Sequence, residues 1–121
     1  MDKHQTMSRL ALSRKVEKFD FTKYGIDDVD GIYIKKLSAA ERSKLLELYK
    51  AEAALSDIQT FVITAALVDS EGNKIFDDPE NDGKAIGKNW SCDLVDELNN
   101  HILNFSRAIK AGESGESAEK N

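Results

Sequence analysis

The period of apolar and polar positions changes along this chain, and each change predicts an element. Phe19 and Phe21 alternate with Asp20 and Thr22, the alternation of a half-buried strand. Gly25 and the acidic run Asp27-Asp28-Val29-Asp30-Gly31 predict a turn. Ile32, Tyr33 and Ile34 resume the alternation and Leu37 closes it, so the two runs predict a small hairpin. Ser38-Ala39-Ala40-Glu41 follows as a capping box and opens a helix. Leu45, Leu48, Tyr49 and Leu55 form the broad apolar face of that helix. Glu41 with Lys44, and Glu47 with Lys50, stand at spacings that pair on its outer face.

Ser56-Asp57-Ile58-Gln59 reads as a second capping box. No charge occurs beyond it until Asp69, so residues 58–68 predict a central helix buried on all faces. The β-branched Val62, Ile63, Thr64 and Val68 keep a buried strand open as the alternative. Residues 69–73 predict a turn, and Lys74-Ile75-Phe76 a short extended piece. Residues 77–83 form a polar loop that holds the only proline, Pro79, with a short helical turn over residues 84–88. The last helix starts near Asn89 or Ser91, both good caps, and runs to about Ala111, where Gly112 ends it. Trp90, Leu94, Leu98, Ile102, Phe105 and Ile109 recur along it at steps of three and four, and Val95 widens the stripe.

The expected fold is therefore mainly α: a small helical domain with a short N-terminal β-hairpin. Residues 1–16 are expected to be a flexible arm, residues 17–111 the folded domain, and residues 112–121, which lack a large apolar side chain, a disordered tail.

Composition narrows the function classes. A chain of 121 residues buries one core. The net charge of −5 argues against nucleic acid, which needs clustered Lys and Arg. The basic residues of the first segment are interrupted by Asp2 and Glu17 and lack interleaved aromatics. Cys92 is the only cysteine, so no internal disulfide and no Cys-based zinc site can form, as suits a reducing compartment. Residues 1–16 lack the apolar core of a signal peptide. Residues 58–68 are far shorter than the roughly 20 residues that span a bilayer. No membrane partner is expected.

Candidate chemistry is sparse. Asp78-Pro79-Glu80-Asn81-Asp82-Gly83 resembles the first half of an EF-hand loop, with oxygen ligands at alternate positions and a glycine for the sharp turn. The second half fails, because Asn89 stands at the twelfth position where a bidentate glutamate belongs. Cys92 lies near a helix N-terminus, but a nucleophile needs a base. The only histidines are His4, in the arm, and His101, more than two turns further along the helix. Glu97 stands one turn before His101 and predicts a surface pair. No phosphate loop, dinucleotide fingerprint or serine elbow occurs. The sequence thus predicts no catalytic residue, no metal site and no cofactor. The last-helix stripe is long for so small a core. It packs on the central helix, or part of it (Trp90, Leu94, Leu98, Ile102, Phe105) meets a partner, with Tyr33 and Phe76 as further candidates.

The order of features is familiar. An aromatic Phe19-Asp20-Phe21 segment precedes Tyr-Ile-Lys-Lys-Leu-Ser-Ala-Ala-Glu-Arg at residues 33–42. A buried segment then ends in Leu67-Val68-Asp69, followed by Gly72 and Ile75-Phe76, and a final helix closes on Asn104-Phe105-Ser106. Over residues 17–107 this resembles the tail assembly chaperones of long-tailed bacteriophages. The resemblance implies a mainly helical, non-catalytic protein that forms homo-oligomers. It implies binding to the helix-rich tape measure protein, which is kept soluble, and recruitment of tail tube subunits around it. It further implies action in the host cytoplasm and absence from the mature virion. Many members are also made in a longer form by ribosomal frameshifting. A small regulatory or structural domain, calcium-modulated through residues 78–89, is the alternative reading.

Overall fold

The computed structural model describes residues 1–11, 16–26 and 31–107. It is mostly helical with a small antiparallel sheet, as the patterning predicts. In chain order the elements are α1 (Lys3–Ala11), β1 (Val16–Lys18), a 3-10 turn (Thr22–Tyr24), β2 (Tyr33–Lys35), α2 (Ala39–Lys50), α3 (Leu55–Ala66), β3 (Leu67–Val68), α4 (Pro79–Asn89) and α5 (Cys92–Ser106). The arm expected to be loose carries the helix α1, none of whose residues is buried. Val16, also placed in the arm, already pairs with Lys35 in the sheet.

Among the described residues the sheet has three strands rather than the hairpin alone, in the order β1-β2-β3. Its first strand lies at Val16–Lys18, short of Phe19 and Phe21. Asp20 explains the shift. Its carboxylate accepts the Thr22 backbone N–H at 2.9 Å and the Thr22 hydroxyl at 2.6 Å. Such a local side-chain bond competes with a strand ladder and turns the chain into the 3-10 segment. The third strand is the tail of the central segment. The chain is helical through Ala66; Leu67 then adopts an extended backbone, and Leu67 and Val68 pair with Ile34 and Tyr33. The helix expectation for residues 58–68 thus holds for all but its last two residues. The turn after β3 closes around Asp69, whose carboxylate accepts the N–H groups of Glu71 and Asn73, with Gly72 at φ 88°. Val68 and Lys74 form a bridge across it.

The capping box at Ser38 forms as predicted. Glu41 N–H donates to Ser38 Oγ, and Ser38 N–H donates to the Glu41 carboxylate at 2.8 Å. Glu41 does not turn outward to Lys44. It accepts Lys35 Nζ at 2.5 Å and Lys74 Nζ at 2.9 Å, tying the start of α2 to the sheet and to the turn beyond it. Burial alone would raise this carboxyl. The hydrogen bonds from Lys35, Ser38 and Lys74 outweigh burial and bring its pKa down to about 2. The second capping box does not form. The helix α3 starts at Leu55, and the Ser56 carbonyl accepts the Thr60 hydroxyl from inside the helix. Leu55 consequently leaves the face of α2 and stands exposed at the head of α3.

The core gathers α3 between its neighbours, with Ile34, Leu45, Val62, Ile63, Leu98 and Ile102 fully enclosed. Gln59 Nε2 donates to Asp96 Oδ1 at 2.7 Å and adds a polar tie between α3 and α5. The last helix ends at Ser106, with Arg107 in the left-handed region at φ 51°; the expected extension to Ala111 and Gly112 lies outside the described residues.

Candidate functional site: an apolar groove beside Trp90

The structure divides the seven residues that the sequence put forward for partner binding. Leu98 and Ile102 are fully buried and Leu94 nearly so, packed within the core that α3 and α5 share. The packing alternative for the stripe therefore applies to them, and Leu98 and Ile102 have no surface to offer. The physical reason is the run from Ile58 to Ala66 of α3, which carries no charge and needs cover on nearly every side. Phe105 is half-buried at the far end of α5, with Lys36 Nζ 5.5 Å from its ring centre. Tyr33 sits on the central strand with Lys18 Nζ 5.9 Å from its ring centre. Trp90, Phe76 and Leu94 come together in one open apolar groove of about 390 Å³.

Chain turns build the groove. The 3-10 segment, closed by Gly25 at φ 75°, presents Phe21, Tyr24 and Ile26 on one side. The residue before β2, Ile32, and Leu67 of β3 form the floor. Ile75 and Phe76, leaving the Asp69 turn, face Trp90 across it, with the rings of Phe76 and Trp90 6.4 Å apart. Trp90 occupies the break between α4 and α5, where an extended backbone lets the chain reverse. Ile26 and Ile75 remain 37% and 41% exposed at its edge.

Asn89 and Ser91 add polar atoms to the lining on either side of Trp90, and further polar groups brace the wall. Lys23 and the Tyr24 hydroxyl both donate to the Glu97 carboxylate, pinning the 3-10 turn to α5. Burial, with the carboxylates of Glu97 and Asp93, pushes the Tyr24 phenol up to about 12. The bonds from Lys23 and Tyr24 lower the Glu97 pKa. The expected Glu97–His101 pair gives way to this arrangement. His101 Nε2 instead meets Glu17 Oε1 at 2.5 Å, and its ring stands edge-on to Phe19. A second cleft of about 400 Å³ lies near Leu48 and Phe61 but is rimmed by Lys44, Asp57, Glu80 and Lys84.

The half EF-hand is not a loop. Residues 79–89 are the helix α4, with Pro79 in its first turn and Asp78 as its cap. The Asp78 carboxylate accepts Asn81 Nδ2 at 2.7 Å, and the Asp78 N–H donates to Asp82 Oδ2 at 3.2 Å. Alternate positions of a helix point in different directions, so these oxygens do not converge on an ion. Among the described residues no group of three His, Cys, Asp or Glu is placed to hold a metal ion. Cys92 is exposed at the start of α5, while His101 is engaged with Glu17.

Sequence reasoning missed Ile26, Ile75, Phe21 and Tyr24. A faint signal was present in Ile26 and Ile75, lone aliphatics set among turn residues. Asp78-Pro79, a cap residue followed by proline, was a direct signal for α4. Among the described residues no helix is long and apolar enough to cross a membrane. Comparisons with protein-family models, curated proteins and solved structures gave no match.

Proposed function

We propose that this chain is a non-catalytic tail assembly chaperone of a long-tailed bacteriophage, and that the Trp90 groove binds apolar helical segments of the tape measure protein. The observation that carries the reading is the groove itself, an open apolar surface flanked by exposed Ile26 and Ile75. The shape suits helix-in-groove recognition, in which a client lays its apolar side chains into a hydrophobic trough. A tape measure protein before assembly exposes long apolar helix faces that aggregate unless covered. The order of motifs over residues 17–107 supplies the link to this family. On that reading the protein holds its client soluble in the host cytoplasm, helps to recruit tail tube subunits and is absent from the finished virion.

The test is co-expression with a tape measure protein taken from the same phage genome. The expected result is a soluble client that co-purifies with the wild-type chain and is lost to the pellet with Ile75→Glu. A client that stays insoluble with both the short chain and any frameshifted longer form overturns the proposal.

A further inference from the structure

The lining of the Trp90 groove is mostly apolar, but residues that adjoin it along the chain are carboxylates. Asp20 precedes Phe21, Asp77 follows Phe76, and Asp93 lies between Ser91 and Leu94. All three are exposed, and none is in an ion pair among the described residues. Asp20 accepts the Thr22 N–H and hydroxyl, and Asp93 accepts the Ser91 hydroxyl and the Leu94 N–H. Bonds from such uncharged donors favour the ionised form and hold both carboxyls below their usual pKa. Asp93 also acts on the groove wall, because its charge contributes to the raised pKa of the Tyr24 phenol.

The neighbouring cations leave this charge standing. Lys23 is bound by Glu97 and has only a minor effect on Asp20, and Lys74 is bound by Glu41. Lys88 stands two residues past the buried Ile86, on the opposite face of α4. The rim therefore sets apolar surface beside unpaired carboxylates: Ile75, 41% exposed, is two residues from Asp77. Lys and Arg suit that pairing, because their stems lie along apolar surface while their charged heads stay in water.

We propose that the groove selects amphipathic helices whose apolar stripe is flanked by Lys or Arg, the stripe entering beside Ile75 and Trp90 and the cations meeting Asp77 and Asp93. This names the chemistry of the client and rests on the client reading of the groove. The trough supplies affinity. The carboxylates supply selection, because charges at the rim of a contact speed encounter with the complementary partner and reject like-charged ones. The net charge of −5 adds attraction at longer range. Exposed pairs are individually weak and salt screens them, so the preference is modest and falls with ionic strength.

Three tryptophan-free helical peptides test this. They share one apolar stripe and carry Lys, Gln or Glu at the flanking positions, and Trp90 emission follows their binding to the full chain. The Lys peptide is expected to bind about three- to tenfold more tightly than the Gln peptide, and the Glu peptide most weakly. The advantage of Lys is expected to shrink between about 50 mM and about 500 mM salt. It is also expected to fall in Asp77→Asn and further in Asp77→Asn with Asp93→Asn, while affinity for the Gln peptide is unchanged. Circular dichroism establishes that the variants are folded; Asp77→Asn, which breaks no hydrogen bond of α5, carries the test if the double variant is not. Equal binding of the three peptides, a preference for Glu, or a Lys preference that survives both Asn substitutions overturns the selection and leaves the groove reading in place. No binding by any of the three overturns both.

Discussion

Gly83 of α4 stands so close to Thr60 of α3 that a β-carbon on Gly83 would lie 3.1 Å from Thr60 Oγ1 and 3.4 Å from Thr60 Cβ. Thr60 is buried, and its hydroxyl is held by the Ser56 carbonyl at 2.8 Å, so it has little freedom to retreat. Alanine in a helix interior normally stabilises by about 1 kcal/mol over glycine. Gly83→Ala is expected to lose that gain to the contact and to lower stability by about 1 kcal/mol. Gly87, one turn on, would place its β-carbon 3.9 Å from Thr60, an ordinary contact. Gly87→Ala is therefore expected to stabilise by about 0.5–1 kcal/mol. Urea unfolding of the two variants side by side checks the sign of each.

Glu41 predicts an acid-sensitive fold. Its pKa falls from 4.5 to about 2 on folding. A carboxylate depressed in this way adds stability that is present above its unfolded pKa and lost as pH falls through the folded value. The loss thus lies between about pH 4.5 and pH 2. At about 1.4 kcal/mol per unit the contribution is on the order of 3 kcal/mol at neutral pH. Glu41→Gln, which also leaves the buried Lys35 without its counter-charge, is expected to cost a comparable amount at pH 7. Its deficit is expected to shrink as pH falls to 2. Denaturant unfolding at several pH values measures the window.

Leu98 separates core from surface. It is fully buried, and Leu98→Ala is expected to cost about 2–5 kcal/mol. Ile75→Ser, at an exposed position, is expected to change stability by no more than about 0.5 kcal/mol. Thermal unfolding distinguishes the two. Equal costs would mean that the division between buried stripe and open groove is misplaced.

Calcium is expected to leave the protein unchanged. The oxygens of Asp78, Glu80 and Asp82 are on the first turn of α4, and Asp78 and Asp82 are engaged in capping it. Trp90 follows α4 directly and reports on it. Its fluorescence is expected to be flat through millimolar calcium, and a saturable change would revive the calcium-modulated reading.

Short-range chemistry was the legible part of this fold. Ser38 and Glu41 stand three residues apart, and their capping box is the one the sequence predicted. The uncharged run ending at Ala66 is the buried central helix, because burial on all faces leaves its mark on composition. The misreadings arose where two local signals competed. Phe19 and Phe21 alternate like a strand, but the bonds between Asp20 and Thr22 end the strand before them. Ser56 is a good cap by type, yet the chain becomes helical one residue earlier, and Ser56 serves Thr60 instead. The groove was only half legible. Trp90, Leu94 and Phe76 are among the partner candidates the sequence puts forward, but Ile26 and Ile75 join them only through turns whose closure depends on contacts distant in sequence. Leu98 and Ile102 have the same stripe spacing whether they face a core or a client. Only the position of α3 decides between the two.

Trp90 is the only tryptophan and lines the groove, so its emission reports occupancy of the groove directly. The measurement is a titration of the wild-type chain and Ile75→Glu with a tryptophan-free helical segment of the tape measure protein. A saturable blue shift is expected as the client covers Trp90, abolished in Ile75→Glu. Binding that leaves Trp90 emission unchanged and survives Ile75→Glu, or no binding at all, would contradict it.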